Sequence, residues 1–229
     1  MEKKFEKKFF EDWATDYDQR RNKSFLEKSK IHMQKLFDEH LHGDCFLEIG
    51  LGTGESFGMV KGKFDYAYGM DISEGMVRKT HVKLHKNLNL FVGDGCNLAL
   101  KSSSFDFIVC QDVLEHVPSQ EKLIMEICRI LKPEGIAIIT TPNPIWAPIL
   151  YIAEKLKWKV EEGEHKFVFL ESLVKKTIIK LNCLLLDSSP FMMFPVRTKL
   201  DGVLESLSKQ HVWSKLGFSQ MCIIKKQFY

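Results

Sequence analysis

Cys45-Phe46-Leu47-Glu48-Ile49-Gly50-Leu51-Gly52-Thr53-Gly54-Glu55 is the stretch whose reading decides the fold. An apolar run from Cys45 to Ile49, broken only by Glu48, stops at glycines 50, 52 and 54, and helix-forming residues then continue to Val60. The pattern predicts a buried parallel strand, a tight turn and the start of a helix. Glycine has no Cβ and an unrestricted φ, so such a turn brings backbone close to a nucleotide-like ligand. A dinucleotide fingerprint, G-x-G-x-x-G, needs its third glycine one residue later, where Glu55 stands. An acid facing a pyrophosphate is repelled, so a phosphate-free ligand fits better. There is no G-x-x-x-x-G-K-[ST] loop. Gly54-Glu55-Ser56-Phe57-Gly58 matches the hydrolase G-x-S-x-G, but Ser56 falls inside the helix and not at the strand-to-helix turn that chemistry requires.

Downstream, strands and helices alternate. Tyr66 to Ser73 is a second apolar run ending in an acid, and Asp71 lies 21 residues after Gly50. At that distance an acid ending the second strand reaches ribose held by the first loop, its carboxylate accepting from both cis hydroxyls. Ser73 caps a helix from Glu74 to about Leu84. Leu88 to Val92 is a third strand, and Asp94 in Gly93-Asp94-Gly95-Cys96 stands where it could receive an exocyclic amine such as that of adenine. Phe105 to Cys110 is a fourth strand. Ser119 caps a helix to Leu131, Lys132-Pro133-Glu134-Gly135 stops it, and Ile136 to Thr141 is a fifth strand. Five such alternations predict an α/β, doubly wound, mostly parallel sheet, with Gly50, Asp71, Asp94 and Gln111 converging at its carboxyl edge.

In the flanks, Phe9, Trp13 and Tyr17 recur at helical spacing, a stripe that either packs on the domain or forms a lid over a ligand. Ser24 to about His40 reads as an amphipathic helix with Leu26, Ile31, Met33, Leu36 and Phe37 on its apolar face. Trp146 to Trp158 and Glu171 to Asn182 are helices. Cys183 to Leu186 and Met221 to Lys225 are closing strands around Val203 to Lys215, and one of the pair is open to an antiparallel course. The 229 residues suit one domain, 1–229, with an N-terminal helical lid at 1–42 and a substrate-side cap at 143–180. A net charge of +3 is too small to argue for nucleic acid. Six cysteines without a C-x-x-C pair read as free thiols in a reducing compartment. With no apolar signal segment, the expected location is cytoplasmic. Gly135 to Ala153 carries no charge, but Pro142, Pro144 and Pro148 break it, so no stable membrane insertion is expected.

The motifs Glu48-Ile49-Gly50-Leu51-Gly52-Thr53-Gly54, Gly69-Met70-Asp71-Ile72-Ser73, Gly93-Asp94-Gly95-Cys96, Val113-Leu114-Glu115-His116-Val117 and Ile130-Leu131-Lys132-Pro133-Glu134-Gly135 resemble those of class I S-adenosylmethionine-dependent methyltransferases. The resemblance covers nearly the whole chain. It implies a Rossmann-like seven-stranded sheet with its last strand antiparallel, and S-adenosylmethionine as cofactor with S-adenosylhomocysteine as product. It also implies that Gly50 and Gly52 approach the methionine part, Asp71 binds ribose, Ile72 and Met76 flank adenine, Asp94 holds the adenine amine and Gln111 meets the amino-acid end. Tyr17, Glu48, Leu51, Gly95 and Cys96 join the same cofactor set. The sulfonium is cationic and phosphate-free, which suits a loop flanked by Glu48 and Glu55.

Asp112 to Pro118 and Trp13 to Asp18 are similar to the quinone-precursor O-methyltransferases, which usually have Glu at the position of Asp112. Asp112, Glu115 and His116 either hold a divalent ion or are a helix-capping acid and a packed histidine; a metal is allowed for, not expected. His116 and His165 are the candidate general bases. The expected acceptor is a small, partly apolar molecule methylated at oxygen, with Trp146, Ile149, Leu150, Tyr151, Ile152, Phe191, Met192, Met193 and Phe194 as its apolar surface. The alternative is a catalytically silent cofactor-binding scaffold or regulatory subunit.

Overall fold

Apolar side chains alternate along the central strands, which commits each strand to two packed faces. The computed structural model describes residues 2–21, 23–60, 62–84, 89–155, 166–192 and 216–228. Its helices are α1 (Glu2–Trp13), α2 (Tyr17–Arg20), α3 (Lys23–His40), α4 (Glu55–Val60), α5 (Glu74–Leu84), α6 (Gln120–Ile130), α7 (Ala147–Lys155) and α8 (Leu170–Ile178). Its strands are β1 (Cys45–Ile49), β2 (Tyr66–Asp71), β3 (Asn89–Val92), β4 (Phe105–Gln111), β5 (Leu131–Pro142), β6 (Cys183–Met192) and β7 (Ser219–Lys226).

The seven strands form one sheet in the order β3-β2-β1-β4-β5-β7-β6. Strands β1 to β5 pair in parallel, while β7 runs antiparallel to both β5 and β6. The expected seven-stranded α/β fold with an antiparallel final strand is what forms, and β7 takes its place between β5 and β6. The winding reverses between β1 and β4, so a crevice opens outside the carboxyl ends of these two strands.

The two faces are separate cores. Phe46, Phe107, Val109, Ile136 and Ile138 point to the side covered by Met33 and Phe37 of α3 and Phe57 and Val60 of α4. Their neighbours Leu47, Ile49, Ile108, Cys110, Ala137 and Ile139 point to the other side, against Leu123, Ile124 and Ile127 of α6 and Val174 of α8. Ser119 caps α6, its hydroxyl oxygen accepting from the Lys122 amide.

Three expectations are corrected. Residues Lys132 to Gly135 do not end before a strand begins: β5 starts at Leu131, and these residues form a bulge in which Phe105 pairs with Leu131 but Phe107 with Ile136. Glu134 there takes a φ of +66°. On α3, Ile31 is exposed, because the stripe facing inward runs through Leu26, Ser29, Met33 and Phe37 at intervals of three and four. Strand β6 extends to Met192, longer than expected. The segment from Val203 to Lys215, with Met193 and Phe194, lies outside the described residues. No helix among the described residues is long and apolar enough to cross a membrane.

Candidate active site

Glycines 50, 52 and 54 close β1, and all three have positive φ, at 74°, 52° and 78°. Their requirements differ. A Cβ on Gly50 would meet Val113 Cγ2 at 2.1 Å, and one on Gly54 would meet Thr80 Cγ2 at 2.6 Å. These two positions let protein pack on the turn. Of the three, only Gly52 has room for a Cβ, which would rest in van der Waals contact with the Tyr17 ring at 3.8 Å.

The acid ending β2 is locked to that turn. Asp71 Oδ2 accepts from the Gly52 amide at 2.9 Å, and Oδ1 accepts from the Ser73 amide at 2.9 Å. Burial raises its pKa, and the Ser73, Gly52 and Ile72 amides counter part of that rise. Asp94 Oδ1 accepts from the Cys96 amide at 3.0 Å.

Glu48 is the least expected group. It is 3% exposed, and its Oε2 is a buried oxygen without a hydrogen-bond partner. Burial pushes its carboxyl up to about 8, against the hydrogen bonds of Ser56 and the Phe57 amide. Ser56 in turn donates to Gln111 Oε1 at 3.0 Å, and Gln111 Nε2 donates to Ser29 Oγ at 2.6 Å. Glu55 behaves oppositely: burial raises its carboxyl, but hydrogen bonds from Lys30 and Lys83 prevail and hold it low.

These groups line one crevice of about 1170 Å³, open mouth included. Tyr17, Glu48, Gly50, Leu51, Gly52, Asp71, Ile72, Met76, Asp94, Gly95, Gln111 and His116 all border it. Cys96 does not; its thiol donates to the Ser119 carbonyl at 3.3 Å. His165 lies outside the described residues, although the adjoining Lys166 amide donates to the Glu115 carbonyl at 2.9 Å. His116 packs edge-on against Phe10, ring centres 5.1 Å apart.

Asp112, Glu115 and His116 do not share a focus. The Glu115 carboxylate is buried and accepts from Thr141 Oγ1 at 2.8 Å, and Asp112 Oδ1 accepts from Thr140 Oγ1 at 3.2 Å. Among the described residues no group of three such donors could hold a metal ion. The apolar wall also differs from expectation. Ile149, Tyr151 and Ile152 are exposed on α7 and stay outside the crevice, as do Trp146 and Leu150. Helix α3 packs against α4 and reaches the crevice instead, with Leu26 and Met33 joined by Met59 and Phe10. Ser29 was not expected in the crevice, and Ser56, set aside above as a nucleophile, lines it as well. Their one sequence signal is a small polar residue inside an otherwise apolar helical stripe.

The residues fit an adenosyl sulfonium: glycine backbone without clash, two placed acids, and a lone carboxyl oxygen that would welcome a cation. Residues 47–139 match the family described as Methyltransferase domain. The demethylmenaquinone methyltransferase of Staphylococcus haemolyticus is 28% identical over 159 residues, covering 66% of this chain and 66% of that protein. The ubiquinone biosynthesis O-methyltransferase of Coxiella burnetii is 30% identical over 133 residues, covering 56% and 57%. Phosphoethanolamine N-methyltransferase 2 of Caenorhabditis elegans is 30% identical over 111 residues, covering 46% of this chain and 25% of that one. The chain thus spans between 25% and 66% of the length of these curated relatives. Among solved structures, an S-adenosylmethionine-dependent methyltransferase from Thermotoga maritima has a TM-score of 0.68 at 19% identity, covering 96% of this chain and 99% of that one. A Haloferax volcanii methyltransferase in complex with the Trm112 methyltransferase activator has a TM-score of 0.69 at 15% identity, covering 96% and 98%. With a methyltransferase domain matched across its central strands, the chain is similar by sequence to methyltransferases and shares the fold of S-adenosylmethionine-dependent methyltransferases of known structure.

Proposed function

We propose that this chain methylates a small, partly apolar acceptor at oxygen, with residues 1–42 as a lid and 143–180 as a cap on a single domain. The observation that carries this reading is that one crevice joins an acid-and-glycine half to an apolar half of Phe10, Leu26, Met33 and Met59. When bound, the cofactor supplies a methyl group already activated on a sulfonium. Asp71 then holds the ribose, Asp94 the adenine amine, Ile72 and Met76 the adenine faces, and Gln111 the amino-acid end. Glu48 and the backbone of Gly50 and Gly52 surround the methionine part, and Tyr17 covers it. The apolar half orients the acceptor and excludes water, and His116 takes the hydroxyl proton. The relatives named for menaquinone and ubiquinone chemistry favour a phenolic or prenylated acceptor.

Methyl transfer to a panel of phenols and catechols, run with and without magnesium, tests the proposal. Turnover independent of magnesium is expected, and His116→Ala should lower it by about 10²–10⁴-fold while cofactor affinity stays unchanged. Cofactor binding without turnover of any acceptor would overturn this reading in favour of a silent scaffold.

A further inference from the structure

The crevice wall is rich in acids and short of positive charge. Carboxylates border it from Glu48, Glu55, Asp71, Asp94 and Asp112. Among the described wall residues only Lys30 and Arg21 are lysine or arginine. Lys30 is spent on Glu55, which also takes Lys83. Arg21 follows α2, and its backbone amide donates to the Tyr17 carbonyl at 3.2 Å, which sets the two residues one turn apart. Its guanidinium carbon lies 5.2 Å from the centre of the Tyr17 ring and 5.7 Å from that of Phe25 on α3. Each ring is itself propped, Tyr17 edge-on to Trp13 at 5.6 Å and Phe25 edge-on to Phe218 at 5.9 Å. A guanidinium held against two rings has little freedom left to lose, so its N–H groups are preorganised for an anion.

Tyr17 also fixes where that cation stands. The same ring lies over Gly52, 3.8 Å from the place a Cβ would take, and the Gly52 backbone is where the methionine part of the cofactor is placed above. That part ends in an ammonium and a carboxylate. A buried oxygen of Glu48 without a hydrogen-bond partner suits the ammonium. The carboxylate has the opposite need, because among these acids it is repelled unless a cation faces it. Gln111 brings no charge, and its amide is engaged by Ser56 on the oxygen and by Ser29 on the nitrogen.

We propose that Arg21 is the carboxylate-binding residue of the cofactor site, its N–H groups taking the α-carboxylate of the methionine part while the guanidinium stays against Tyr17 and Phe25. This rests on the cofactor placement proposed above and narrows the ligand class to adenosyl compounds that carry an intact amino acid. A planar guanidinium meets a carboxylate with two parallel N–H bonds, a geometry that a lysine ammonium cannot copy. Because Arg21 belongs to the 1–42 segment, the ligand's own carboxylate ties that segment to the crevice.

Calorimetry on the full chain compares S-adenosylhomocysteine with its decarboxylated analogue, the adenosyl thioether that keeps the amine and lacks the carboxylate. The wild-type chain should prefer S-adenosylhomocysteine by about 10-fold or more, since hydrogen bonds between charged groups are at stake. Arg21→Ala should weaken S-adenosylhomocysteine by about 10–100-fold and change the analogue by less than about twofold. Arg21→Lys should recover only part of that loss. Equal weakening of both ligands overturns the proposal and reduces Arg21 to support for Tyr17. Unchanged affinity for S-adenosylhomocysteine overturns it too, and an effect confined to the acceptor's KM would give the guanidinium to the acceptor. The wild-type comparison needs no variant: equal affinities for the two ligands overturn the proposal even if the variants fail to fold. No acceptor enters the calorimetry, so an inactive phenol panel leaves this assignment standing. A wild-type chain that binds neither ligand removes the cofactor placement and this proposal together.

Discussion

At Asp71 one carboxylate shapes the site before any ligand arrives, because each of its oxygens already holds a backbone amide. Under the ribose assignment proposed above, the same carboxylate would also accept from the sugar hydroxyls. Asp71→Ala is expected to abolish cofactor binding by calorimetry and to destabilise the fold by about 1–3 kcal/mol for each stranded amide; unchanged affinity would refute the ribose assignment. Glu48 makes a different prediction. Unfolded, it loses its proton near 4.5; folded and empty, it holds the proton to about 8. Between those values the unfolded chain binds fewer protons, so this group's contribution to stability falls as pH rises, by on the order of a few kcal/mol across the window. Urea unfolding of the ligand-free protein below and above that window checks this: Glu48→Gln should flatten the slope, and identical slopes would sink the idea. A cation placed beside Oε2 favours the carboxylate. Cofactor binding inside the window should therefore expel a proton, visible in calorimetry with buffers of unlike ionisation heat.

Among the elements, the turn after β1 and the loop after β4 are built as a pair. Val113 fills the space where a Gly50 Cβ would stand. Gly50→Ala should therefore destabilise by about 1–3 kcal/mol through overpacking, with a further ~1 kcal/mol for the left-handed φ. Val113→Ala in the same chain should recover the packing part alone, so a thermal-denaturation double-mutant cycle with no coupling would contradict this account. The glycine spacing was readable in the sequence. Its reason at Gly50 and Gly54 was not, because the obstructing atoms belong to Val113 and Thr80, far along the chain.

Across the whole molecule, the N-terminal segment is fastened over the carboxyl edge of the sheet. Glu11 accepts from Ser73 Oγ at 2.8 Å and from the Gly75 amide at 2.9 Å, supplying a cap to α5 from outside that helix. Lys79 Nζ donates to the Ala14 carbonyl at 2.9 Å, Thr53 donates to Asp18, and Trp13 and Ala14 pack on Met76. If this segment is a lid, cofactor should slow hydrogen exchange of amides 10–18. Glu11→Ala should speed that exchange and weaken cofactor binding roughly fivefold or more, in keeping with the ~1 kcal/mol worth of a helix cap. Exchange indifferent to both changes would reduce the segment to packing.

What the sequence determined by itself was the sheet, its winding and the two acids at the strand ends. Period-two apolar runs, glycine spacing and capping serines act through neighbours a few residues apart. The tertiary structure alone decided which stripe of α3 reaches the crevice, that Ser29, Gln111 and Ser56 form one hydrogen-bonded chain, and that the Glu115 carboxylate accepts from Thr141. Each of these rests on contacts between elements far apart in the chain, where burial and charge are set by what packs alongside and not by the residue's own neighbours.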